Sequence, residues 1–155
     1  MYNVITIADT ILKLAKEKGQ ALTPMQLMKL VYIAHGWSLA LRDTDLFADR
    51  IEAWRYGPVI PDLYFSTKTW GRNPIPLHMI SGGLDVDQST ETFLRDVFDK
   101  YGHLDGIALS HMTHKPSTPW SQVYEAGRNV EIPDSLIETH YRQLLDDRSG
   151  VAAPD

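Results

Sequence analysis

The stretch TPMQLMKLVYIAHGWSLAL, Thr23 to Leu41, combines a clear helix start with a long apolar pattern. Thr23 is an N-cap residue, Pro24 suits the first helical turn, and Gln26 completes a capping box in which each end of the motif satisfies a backbone N–H of the other. Beyond it, Leu27, Leu30, Val31, Ala34 and Leu41 recur at helical spacing and predict one broad apolar face, with Tyr32, His35 and Trp37 towards its flanks. A helix this apolar belongs at the centre of a core. That places the chain in a mainly helical class, and the remaining segments are read as its packing partners.

Before it, Ala8, Ile11, Leu12 and Ala15 predict an amphipathic helix over roughly 5–18, stopped by Gly19. After it, Asp87 or Ser89 caps a helix through about Tyr101 with Phe93, Leu94, Val97 and Phe98 inward, closed by Gly102. A helix after Asp105 is cut off by Pro116, Thr118 and Pro119 start another, and Pro133 with Asp134 open a last one. The segment from about Asp147 is too poor in apolar residues to pack and is expected to fray. The expectation is a mainly α (α+β) fold: a compact bundle of about six helices with a small two- or three-stranded β element. It forms a single domain over 1–146 with a flexible tail over 147–155.

The β element is expected at IEAWRYGPVIPDLY, Ile51 to Tyr64. Its first four residues alternate like a short strand. Gly57 and Pro58 are expected to turn the chain, and Pro61 to launch a short helix ending near Gly71. The following RNPIPLHMI reads as a loop leading at most to an edge strand, and SGGLDVDQS as turn chemistry.

With 155 residues, 43% of them hydrophobic, the chain is long enough to bury a proper core. The net charge of −5 and the lack of a Lys/Arg cluster argue against gripping nucleic acid, and no Arg precedes Arg42 to arm a helix-turn-helix reader. An acidic domain instead suits a basic protein partner. The chain has no cysteine, which excludes disulfides, thiol catalysis and Cys-type zinc. The N-terminal segment lacks the pattern of a signal peptide, and no apolar run approaches a membrane span, so a cytoplasmic protein is expected.

Candidate chemistry is sparse. His111 and His114 sit three apart and, with His103 and Asp105, would be the start of a metal site, but the spacing matches no zinc signature. No serine lies in a Gly-flanked elbow, and the carboxylate pairs fall in polar turns. The reading is no catalytic residue, no cofactor and no metal. What remains is protein recognition, carried by residue types that dominate interface hot spots: Trp54, Arg55, Tyr56, Tyr64 and Trp70, with Pro61 among them.

Three blocks carry a family likeness: MQLMKLVYIAHGWSLAL, LFADRIEAWRYGPVIPDLY and ALSHMTHKPSTPW. In order and spacing they resemble the SocA-like or Panacea domain, a family of antitoxins and phage-associated proteins. Lys29, Tyr32, His35, Trp37, Glu52, Trp54, Tyr56, Gly57, Pro58 and Pro61 fall on its pattern, as do Leu109, Ser110, Thr113, His114, Pro119 and Trp120. Lys115 and Pro116 depart from it, standing where acidic residues are common. The resemblance implies a domain that neutralises a cognate toxin by direct complex formation. It also implies an alternative, a phage- or prophage-derived adaptor or inhibitor acting on a host protein, for example delivering a toxin to a ClpXP-type protease.

Overall fold

The computed structural model describes residues 1–76 and 85–152. Seven α-helices and three short strands occur among them: α1 (Val4–Glu17), α2 (Pro24–Arg42), β1 (Glu52–Trp54), β2 (Gly57–Val59), α3 (Pro61–Thr67), α4 (Gln88–Tyr101), α5 (Gly106–His114), α6 (Pro119–Val123), β3 (Val130–Glu131) and α7 (Asp134–Ala152). A 3₁₀ turn, Lys68–Trp70, continues α3. The mainly helical class with a small sheet is what the sequence predicts.

The capping box at Thr23 and Gln26 is formed, and Asp87, Asp105 and Thr118 cap α4, α5 and α6 as expected. Helix α2 is the axis of the fold. Every residue from Leu27 to Ala40 is buried, because α1, α3, α4, α5, α7 and β2 all pack on it. The one-face expectation is therefore corrected. Tyr32, His35 and Trp37 are core residues, whereas Leu41 is 54% exposed. A helix surrounded on every side must be apolar all round. Leu41 lies in the last turn, where the helix leaves its covering elements and the chain reverses at Asp43 in the left-handed conformation.

The closest approach in the core is between α2 and α7. A Cβ on Gly36 would lie 2.3 Å from the ring of Tyr141. The indole of Trp37 meets that ring edge-on at 5.1 Å and donates to the Tyr101 hydroxyl at 2.9 Å.

The sheet is antiparallel in the order β2-β1-β3. Trp54 pairs with Gly57, so the hairpin turns on Arg55 and Tyr56. This corrects the expected turn: Gly57 and Pro58 are the first residues of β2. Pro58 is tolerated there because β2 is an edge strand. Strand β3, which no local pattern announces, pairs Val130 with Ala53.

Helix α7 continues to Ala152, past the Asp147 boundary where a fraying tail is expected, while residues 153–155 lie outside the described residues. Of the loop and edge strand expected over 72–80 and the turn expected over 81–89, residues 77–84 lie outside them too.

Candidate functional site

The hairpin is held in place from below by polar side chains of three helices. Lys29 of α2 donates to the Pro58 carbonyl at 2.9 Å, and Ser110 of α5 donates to the Tyr56 carbonyl at 2.9 Å. Trp120 of α6 donates to the Trp54 carbonyl, and its ring stacks on Tyr124 with 4.5 Å between centroids. His114 meets Trp120 edge-on and bonds through Nδ1 to the Ser110 carbonyl. Gly57 has φ +123, and a Cβ there would stand 2.8 Å from the Lys29 ammonium. Of the family-pattern residues, Lys29, Trp54, Tyr56, Pro58, Ser110, His114 and Trp120 are thus one bonded assembly around a two-residue turn.

On the outer side, a groove of about 360 Å³ opens between the hairpin, the start of α2 and α3. Trp54, Arg55, Tyr56 and Tyr64 line it together with Met25 and Lys68. Trp54 and Tyr64 meet edge-on at 5.0 Å, and Arg55 lies over the Tyr56 ring at 5.3 Å. Tyr56 is 64% exposed and Phe65, beside Tyr64, is 60% exposed. Single exposed apolar residues are ordinary, whereas here several aromatic rings stand exposed close together.

Four of the six predicted contact residues therefore come together at the groove. The other two do not. Pro61 starts α3, and Trp70 is half-buried against the core. Met25, Met28, Phe65 and Lys68 were missed by sequence reading. Met25 is visible only as an apolar residue on the helix turn opposite the capping contacts, and Phe65 as a second ring next to Tyr64.

Charge within the groove runs against the chain as a whole. Lys29, Arg55 and Lys68 are among its lining residues, and among the described residues no carboxylate is. Lys29 is 3% exposed, its hydrogen bonds run to backbone carbonyls, and burial lowers its pKa to about 7. Glu52 is occupied elsewhere, accepting from the Trp54 indole at 2.8 Å and from Arg50 at 2.7 Å. Among the described residues the groove offers the exposed cations Arg55 and Lys68 beside its rings.

The proposed start of a metal site does not assemble. His111 and His103 are exposed, His114 is bonded to backbone, and Asp105 caps α5. Among the described residues the three-ligand group is a different one: His35, Asp45 and Asp134.

Residues 27–121 match the family described as "Antitoxin SocA-like, Panacea domain", which includes every residue of the hairpin and its three anchors. The chain belongs to that family. It is also similar to "Antitoxin SocA" of Caulobacter vibrioides (strain NA1000 / CB15N), at 25% identity over 151 residues, covering 88% of this chain and 80% of that protein. No solved structure matches. Among the described residues, no helix is long and apolar enough to cross a membrane.

Proposed function

We propose that this chain is an antitoxin-like binding module that neutralises a toxin by covering it, and that the groove on the outer side of the β1–β2 hairpin is its contact face. The observation that carries this reading is the cluster of Tyr56, Tyr64 and Phe65, exposed on a frame held by Lys29, Ser110 and Trp120. Exposed rings on a rigid support lose little entropy on binding, which is how a small surface yields a specific complex. The family and the relative named an antitoxin supply the kind of partner.

The groove also states the chemistry of the segment it takes. Its cations and lack of carboxylates favour an apolar or aromatic side chain flanked by acidic ones. This replaces the expectation from net charge alone, because complementarity is decided where the surfaces meet. Inhibition is by occlusion, in a stoichiometric complex, with no chemical step.

Co-expression with the product of the adjacent gene tests the reading. The expected outcome is relief of that product's growth arrest together with co-purification of the two chains. Neither rescue nor co-purification would overturn it.

A further inference from the structure

We propose that His35, Asp45 and Asp134 form a binding site for a divalent first-row transition ion, with zinc as the ion its spacing fits. His35 projects from the middle of α2 with 1% of its side chain exposed. Its Nε2 faces two carboxylates from distant parts of the chain, Asp134 Oδ1 at 3.0 Å and Asp45 Oδ1 at 3.9 Å. The three ligand atoms lie within 4.8 Å of one another. Bonds of about 2.1 Å in a tetrahedral zinc site place neighbouring ligand atoms ~3.4 Å apart, and the two distances at Nε2 bracket that value.

Two further observations separate this group from an ordinary acidic pair. First, the carboxylates of Asp45 and Asp134 both turn an oxygen towards the same imidazole nitrogen, within 4.8 Å of one another. Two carboxylates brought this close favour a cation between them. One imidazole N–H cannot serve both: Asp134 takes the hydrogen bond, and Asp45 Oδ1 is left enclosed without a hydrogen-bond partner among the described residues. Second, the imidazole is fixed before any ion arrives. It is packed against Phe47 with 4.4 Å between ring centroids, on the most buried helix of the fold.

A nitrogen and two carboxylate oxygens, without sulfur, suit zinc, manganese, iron or cobalt, and the near-tetrahedral spacing at Nε2 favours zinc among them. The carboxylate side chains are 38% and 49% exposed, so an ion held by them keeps a face open to water. Asp134 is the first residue of α7, Asp45 lies between α2 and β1, and β3 ends only three residues before Asp134. An ion here therefore clamps the start of α7 to α2, immediately below the third strand of the sheet. This site lies apart from the groove lining and does not depend on the partner reading.

The test uses the full, untagged chain, dialysed against chelator, with zinc chloride as the probe. Calorimetric titration and thermal unfolding are measured for the wild type, Asp45→Asn and Asp134→Asn. Both positions are half-exposed, and circular dichroism checks that each variant retains the wild-type fold. The proposal expects one zinc per chain, a rise in Tm on zinc addition, and at least about tenfold weaker binding in each variant. Saturable binding that survives both substitutions and disappears with His103→Asn or His111→Asn would overturn it. So would the absence of saturable binding to the wild type.

Discussion

The Lys29 ammonium lies 2.9 Å from the carbonyl oxygen of Pro58 and has no acidic partner among the described residues. A buried cation satisfied only by carbonyls is desolvated without Coulombic compensation, which is why its pKa falls to about 7 from 10.5. Its folded-state pKa is below the unfolded value, so the unfolded chain binds more protons between about pH 7 and 10.5. Stability contributed by this group therefore rises with pH through that window. Chemical denaturation of wild type and Lys29→Met at pH 7 and pH 9 should show the wild type gaining roughly 2 kcal/mol relative to the variant, at about 1.4 kcal/mol per pKa unit. A difference that does not change with pH would place the lysine in water.

The same lysine limits what can stand above it. Gly57→Ala introduces a Cβ 2.8 Å from its ammonium at a backbone φ of +123 that only glycine adopts readily. Strain of this kind costs about 1–3 kcal/mol. Thermal unfolding should show that loss, and the variant's partner affinity should fall as well, because the turn carrying Arg55 and Tyr56 moves.

Trp120 is a second anchor, and its role is separable from contact with a partner. Trp120→Phe keeps a ring near Tyr124 but removes the donor to the Trp54 carbonyl. Loss of a single such bond costs about 1 kcal/mol. Trp120→Ala also removes the stacked ring, for which about 3–5 kcal/mol is expected from large-to-small changes. Equilibrium denaturation of both variants checks the ordering, and equal losses would mean that the stacked ring contributes nothing beyond the hydrogen bond.

Gly36 sets the distance between α2 and α7. Gly36→Ala places a Cβ 2.3 Å from the ring of Tyr141, which is 4% exposed and has no free space to turn into. Alanine gains about 1 kcal/mol of helix propensity over glycine. Overpacking at a helix crossing costs roughly 1–3 kcal/mol, and at this overlap the upper end applies. A net fall in Tm is expected, and a rise would show that α7 is free to shift.

Much of this architecture is legible in the chain because it is local. Thr23 with Gln26, Asp87, Asp105 and Thr118 announce helix starts through side chains that act within three residues, and all are found as caps. Burial of Tyr32, His35 and Trp37 is not legible in the same way. Periodicity assigns them to a flank, and only the placement of α7 and α4 around α2 makes that flank interior. Strand β3 is two residues long and exists because Ala53 and Glu52 present an edge to it. The groove divides along the same line. Trp54, Arg55, Tyr56 and Tyr64 are recognisable by residue type, whereas Met25 and Lys68 join them through the fold alone. His35, Asp45 and Asp134 are spread over ninety-nine residues from first to last, a separation at which no spacing rule operates.

The exposed rings provide the sharpest test of the groove as a contact face. Tyr56→Ala and Phe65→Ala remove side chains that are 64% and 60% exposed, so each should leave stability within about 0.5 kcal/mol of wild type. The dissociation constant of the complex with the adjacent gene's product is to be measured by calorimetry for the wild type and the double variant Tyr56→Ala/Phe65→Ala. A loss of about 30-fold or more, with Tm unchanged, is expected if these rings carry hot-spot energy of about 2 kcal/mol or more between them. Unchanged affinity in a folded double variant would mean that the partner binds elsewhere on the molecule.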